Sequence, residues 1–81
     1  MITADEVRRL LGSETDAVLV LVEGRIDVVA ATDLETDAYR GALQVITRDE
    51  LIERAGGEQL SDRELSEQAA ALDTAVSELG G

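Results

Sequence analysis

Several residue types are missing from this chain of 81 residues: cysteine, histidine, lysine, phenylalanine, tryptophan, proline and asparagine. Without cysteine, no disulfide, thiolate nucleophile or thiolate metal site can form. The lack of histidine excludes a Ser-His-Asp relay and the commonest metal ligand. The lack of lysine excludes Schiff-base chemistry and the lysine of a phosphate-binding loop. Carboxylates, arginines, hydroxyls and the single Tyr39 remain, so we expect a protein that is not an enzyme and has no cofactor or metal ion.

Positive charge is also scarce. Seven arginines face 18 acidic residues, which gives a formal net charge of −11. Only Arg8 and Arg9 are adjacent. Because phosphate neutralisation needs concentrated positive charge and single-strand binding needs aromatic rings, we expect no direct binding of nucleic acids. The acidity allows a different hypothesis, an inhibitor that imitates the phosphates of DNA and occupies the basic groove of a nucleic-acid-binding protein.

Apolar runs are short. The longest, Ala17 to Val22, is far below the length of a membrane span. Residues 1–6 have neither the basic start nor the apolar stretch of a signal peptide. We therefore expect a cytoplasmic protein with no membrane partner. The use of arginine alone as the basic residue, with abundant Ala, Val, Gly, Asp and Glu, is typical of a GC-rich genome.

The length and a hydrophobic content of 44% predict one domain over residues 1–81. A Ser or Thr followed three residues later by Glu is the signature of a capping box, in which each side chain binds a free N–H at the start of a helix. The pattern occurs at Thr3/Glu6, Thr32/Glu35, Thr47/Glu50 and Ser61/Glu64. It predicts helices over 4–11, 48–55 and 62–79, and one helical turn in the loop 32–39.

Three strands are predicted between the first two helices, over 17–22, 25–30 and 41–46. The first is apolar throughout and rich in valine, which is typical of a strand buried on both faces. Glu23-Gly24 predicts a tight reversal. The fold class is therefore α+β, with the order α-β-β-β-α-α: a three-stranded antiparallel meander with flanking helices. We expect the first strand to lie inside the sheet.

The last helix carries the strongest pattern. Leu65, Ala69, Leu72, Val76 and Leu79 are spaced 4, 3, 4, 3, the narrow seam with which one helix meets another lengthwise. We call these five residues the seam. The seam is too short for an independent coiled coil, so it docks either on the sheet of its own domain or on another chain.

Two loop features have alternative interpretations. Tyr39, next to Arg40, is either an interface residue, since Tyr and Arg are enriched in hot spots, or a residue at the edge of the core. The alternation Asp33, Glu35, Asp37 resembles the start of a calcium-binding loop. The pattern then fails, because Ala38 and Gln44 occupy the positions that need Gly and Glu. We expect a solvated loop tip and no metal.

These observations favour a small, non-enzymatic protein–protein interaction module that forms a homodimer or binds another protein. A single core of this size contributes little stability beyond chain entropy, and association is a common reinforcement. The candidate interface comprises the seam and Tyr39. The alternative is the acidic inhibitor of a nucleic-acid-binding protein.

Overall fold

Three helices and three strands form the described part of the chain. The computed structural model describes residues 2–78. Its elements are α1 (Ala4–Leu11), β1 (Ala17–Val22), β2 (Arg25–Ala30), β3 (Leu43–Thr47), α2 (Arg48–Ala55) and α3 (Asp62–Glu78). Two 3-10 turns, Ala31–Glu35 and Asp37–Tyr39, connect β2 to β3, and we call residues 31–39 the 3-10 segment. The predicted α+β class and the order α-β-β-β-α-α are confirmed. Leu79, the predicted end of the last helix, lies outside the described residues.

The sheet is antiparallel with the strand order β2-β1-β3. β1 lies in the middle, as its apolar faces predict. In one respect the connectivity differs from the predicted meander: β3 pairs with the free edge of β1 instead of with β2. The 3-10 segment carries the chain across the sheet to that edge. This order gives the most apolar strand two paired edges, whereas a meander would have left it at the rim.

The turns that flank the strands depend on left-handed backbone. Glu23 and Gly24 have φ angles of 50° and 79°, so the β1–β2 connection is a two-residue hairpin turn of the kind that matches the twist of the strands. β3 begins at Leu43 and not at Gly41. Gly41 has a φ of 85°, and the N–H of Ala42 donates to the carbonyl of Tyr39 at 3.0 Å. These two residues therefore close a turn.

Capping boxes start all three helices. The carboxylates of Glu6, Glu50 and Glu64 accept the backbone N–H three residues earlier, at 2.9, 3.2 and 2.9 Å respectively. The Ser61 hydrogen bonds lower the pKa of Glu64. The fourth pattern, Thr32/Glu35, forms no box, because the chain there adopts a 3-10 turn without a side-chain cap. Among residues 2–78, no helix has the length and apolar composition needed to cross a membrane.

The core has two parts, one on each face of the sheet. On the first face, Leu19 packs with side chains of α1, α2 and α3, among them Leu10, Leu51 and Leu72. We call this the helix face. On the second face, valines of β1 and β2 form a smaller cluster covered by Leu34, Tyr39 and Ala42. β1 contributes to both parts, because its side chains alternate between the two faces.

We expect the amides of residues 18–22 to show the slowest hydrogen exchange in the protein, because β1 is paired on both edges and covered on both faces. Amide exchange followed by NMR would measure this. β2 is an edge strand of the same length and serves as the internal comparison. Exchange in residues 18–22 as fast as in β2 would contradict the described sheet order.

Candidate interaction surfaces

The seam of α3 docks inside the domain. Leu65, Ala69 and Leu72 are 5%, 3% and 2% exposed and belong to the same cluster as Val7 and Leu10 of α1. The contacts of α3 are mainly with α1. Of the predicted alternatives, internal docking is therefore observed, with α1 as the main contact and Leu19 and Ile46 of the sheet in the same cluster. An interface with another chain would have to use other residues, because these three side chains have almost no surface left.

The C-terminal part of the seam is more open. Val76 is half-buried and lines a groove of about 330 Å³ together with Ile2, Leu21 and Ile26. Asp73 also lines the groove, and its carboxylate accepts the N–H of Ile2 at 2.9 Å. The remaining seam residue, Leu79, lies outside the described residues.

An apolar row crosses the sheet beside this groove. Leu43 of β3 pairs with Leu21 of β1, and Leu21 pairs with Ile26 of β2. Directly opposite residues of antiparallel strands point to the same face, so these three side chains lie side by side. In the next row, Leu19 and Ile46 are 0% and 6% exposed, but Leu43 is 39% exposed. The helices therefore cover the row of Leu19 and Ile46 and leave the row of Leu43, Leu21 and Ile26 partly open.

We call Leu21, Ile26, Leu43 and Val76 the apolar end. Leu43 is the one exposed large apolar side chain between residues 2 and 78. Sequence reasoning missed this surface, because its four residues come from four different elements. The only signal was that the stretch 41–47 carries no charge in a chain with 31% charged residues.

Tyr39 lies on the other face of the sheet. It is half-buried and packs against the valine cluster. Its hydroxyl donates to Oδ2 of Asp27 at 2.9 Å. This hydrogen bond to a carboxylate, together with desolvation, raises the pKa of Tyr39 above 10.0. The position at the edge of the core agrees with one of the two interpretations of Tyr39, and its role in an interface stays a prediction.

Asp27 joins three parts of the protein and was not recognised from the sequence. Besides Tyr39 of the 3-10 segment, its carboxylate accepts the N–H of Val28 at 2.9 Å and lies 3.9 Å from Nη2 of Arg9 in α1. In a two-residue hairpin, hydrogen-bonded and non-hydrogen-bonded residue pairs alternate outward from the turn. Val28 belongs to a non-hydrogen-bonded pair, so its N–H points away from β1. The Asp27 carboxylate therefore accepts a hydrogen bond from a backbone N–H at the open edge of β2. This N–H is then not free to pair with another strand, so strand addition at that edge is disfavoured.

The alternating acidic residues of the 3-10 segment lie at the surface. Asp33, Glu35 and Asp37 are all exposed, and Asp37 forms an ion pair with Arg40 at 2.8 Å. Within residues 2–78, no group of three or more acidic side chains is arranged to hold a metal ion.

Comparison of this sequence and structure with protein-family models, with curated proteins and with solved structures gives no match.

Replacing Leu72 with Asp tests the internal docking of the seam. The change places a carboxylate in a fully buried contact between α3 and α1, so we expect the protein to unfold or to lose about 3 kcal/mol or more of stability. Ala71→Asp adds the same charge one residue away on the exposed side of α3 and is the matched control. Urea denaturation followed by circular dichroism would compare the two. Equal stability of both variants would contradict the packing described here.

Ionisation of Tyr39 tests its hydrogen bond to Asp27. Since Tyr39 is the only aromatic residue, an ultraviolet absorbance titration reports this group alone. We expect a midpoint above 10.0 in the wild type and a lower one in Asp27→Asn, which removes the negative charge. The hydrogen bond that raises the pKa contributes to stability while the Tyr39 hydroxyl is protonated, below pH 10. This contribution is lost as the pH rises through the pKa of Tyr39 in the folded state. An unchanged midpoint in Asp27→Asn would show that Asp27 does not control the hydroxyl.

Proposed function

We propose that this protein is a small non-enzymatic protein–protein interaction module and that two copies associate through the apolar end. The observation that supports this most strongly is the exposure of Leu43, at 39%, beside the half-buried Leu21. Soluble domains commonly place large apolar side chains together at the surface where a partner covers them. Ile26 and Val76 extend the same surface and line the adjacent groove.

The distribution of charge permits a second copy as the partner at this surface. With a net charge of −11, two copies repel each other over most of their surfaces, and an interface needs a patch without carboxylates at its centre. β3 is the edge strand that provides one, since none of its five residues is charged, whereas the other edge strand, β2, contains Arg25 and Asp27. A two-fold axis beside β3 would place Leu43 of one copy next to Leu43 of the other, which gives a self-complementary contact.

The non-enzymatic part of the proposal follows from the missing residue types. The chain has neither histidine, cysteine nor lysine, and its acidic residues provide no metal cluster within residues 2–78. Catalysis by carboxylates alone needs a deep cleft that excludes water. The grooves of this small domain are open to solvent, which supports a role in binding.

We expect Leu43→Glu to convert the dimer to a folded monomer, because a carboxylate at the centre of the contact is desolvated and faces its symmetry mate. Ala70→Glu adds the same charge on the exposed side of α3 and should leave the dimer intact. Light scattering after gel filtration measures the mass, and circular dichroism confirms the fold. A wild type that is monomeric at every concentration tested, or a Leu43→Glu variant with the wild-type mass, would refute the proposal.

Salt separates this proposal from the alternative, the acidic inhibitor of a nucleic-acid-binding protein. Apolar association of two acidic copies should persist or strengthen as salt screens their repulsion. Imitation of phosphates should weaken steeply, as the binding of nucleic acids itself does. Self-association that disappears at high salt would therefore contradict an apolar interface.

A further inference from the structure

A second groove lies on the face of the sheet opposite α1 and α3. It has a volume of about 480 Å³ and is bordered by the α1–β1 connection, the 3-10 segment, β3 and the start of α2. Val18, which is 3% exposed, and the half-buried Leu34 give it an apolar floor. Three acidic residues, Asp16, Glu35 and Asp49, line it as well. We call this the acidic groove.

The charges of the acidic groove have no counter-charge nearby. Asp16, Glu35 and Asp49 are exposed and form no ion pair and no side-chain hydrogen bond within residues 2–78. No arginine lines the groove. Arg48, next to Asp49 in the sequence, does not line the groove either and binds Glu58 at 2.8 Å. The groove therefore combines an apolar floor with three carboxylates that have no ion-pair partner, of which Asp49 lies in the first turn of α2.

We propose that the acidic groove binds an arginine or lysine side chain, with a neighbouring apolar residue, in an extended segment of another protein. The methylene groups of such a side chain would lie on Val18 and Leu34 while its charged end meets the carboxylates, as amphipathic basic side chains do at apolar surfaces. Charge complementarity selects this partner. A second copy of this chain is a poor occupant because its own net charge is −11.

This site is separate from the apolar end. The acidic groove lies on the face of the valine cluster, whereas Leu21 and Leu43 lie in the row that belongs to the helix face. Binding of a basic segment and association of two copies can therefore be tested independently. The Leu43→Glu variant should bind the basic segment as the wild type does.

The experiment uses a synthetic peptide in which three arginines alternate with two leucines, added to the full chain and followed by amide NMR and calorimetry. Two control peptides replace either the arginines with glutamines or the leucines with serines. We expect binding of the first peptide with shifts centred on the residues of the acidic groove, and weaker binding of both controls. Absence of binding, or shifts centred elsewhere, would overturn the proposal. Equal affinity of the serine peptide would show that the apolar floor plays no part, and would overturn it too.

A pair of triple variants separates local recognition from general attraction. Asp16→Asn, Glu35→Gln and Asp49→Asn together remove the charges of the groove. Glu23→Gln, Glu53→Gln and Glu78→Gln together remove the same number from exposed positions that do not line it. We expect the first variant to lose about tenfold in affinity and the second less than about threefold. Equal losses, with both folds intact by circular dichroism, would mean that the peptide responds only to net charge, and the site would be rejected.

Discussion

The structure depends on one constraint: β1 is apolar along its whole length. Its six residues read AVLVLV, and five of them are buried. A strand of this kind must be paired on both edges and covered on both faces, because any open side would expose valine or leucine to water. The order β2-β1-β3, the helices on one face and the 3-10 segment on the other all satisfy that requirement.

The two faces are covered by different means, and this difference produces the two candidate surfaces. Helices cover most of the first face but end short of the row that contains Leu43, so apolar side chains stay open to a partner. The 3-10 segment covers the second face with only a few side chains, chiefly Leu34 and Tyr39. It contributes Glu35 to the groove that it borders, and Asp16 and Asp49 complete the acidic lining. One chain thus presents an uncharged surface and a charged one in opposite directions.

Local patterns in the sequence predicted the elements well. The capping pairs at Thr47/Glu50 and Ser61/Glu64 marked helix starts, and the valine-rich run marked the central strand. These signals depend on neighbours along the chain, where spacing alone fixes the geometry. The apolar faces of β1 predicted its place inside the sheet, which in a three-stranded sheet requires pairing with β3, but the path of the 3-10 segment that brings β3 to that edge could not be predicted.

The surfaces were the least predictable part. Leu72 was recognised as a contact residue, but its partner, α1, is distant in the sequence. Asp27 looked like an ordinary polar position in an alternating strand, and only the folded chain brings Tyr39 and Arg9 to it. The acidic groove joins residues from the α1–β1 connection, β1, the 3-10 segment, β3 and the start of α2. Such groupings arise from tertiary structure and produce no periodic pattern in the sequence.

The strand order also implies a sequence of folding events. β1 and β2 are joined by a two-residue turn, so their hairpin can form within microseconds. β3 can pair with β1 only after the chain has closed a loop that contains all of β2 and the 3-10 segment, which costs more entropy. Leu34 and Tyr39 become buried in that same step, because the segment that carries them is held at one end by β3. The valine cluster is therefore completed only when β3 has paired with β1.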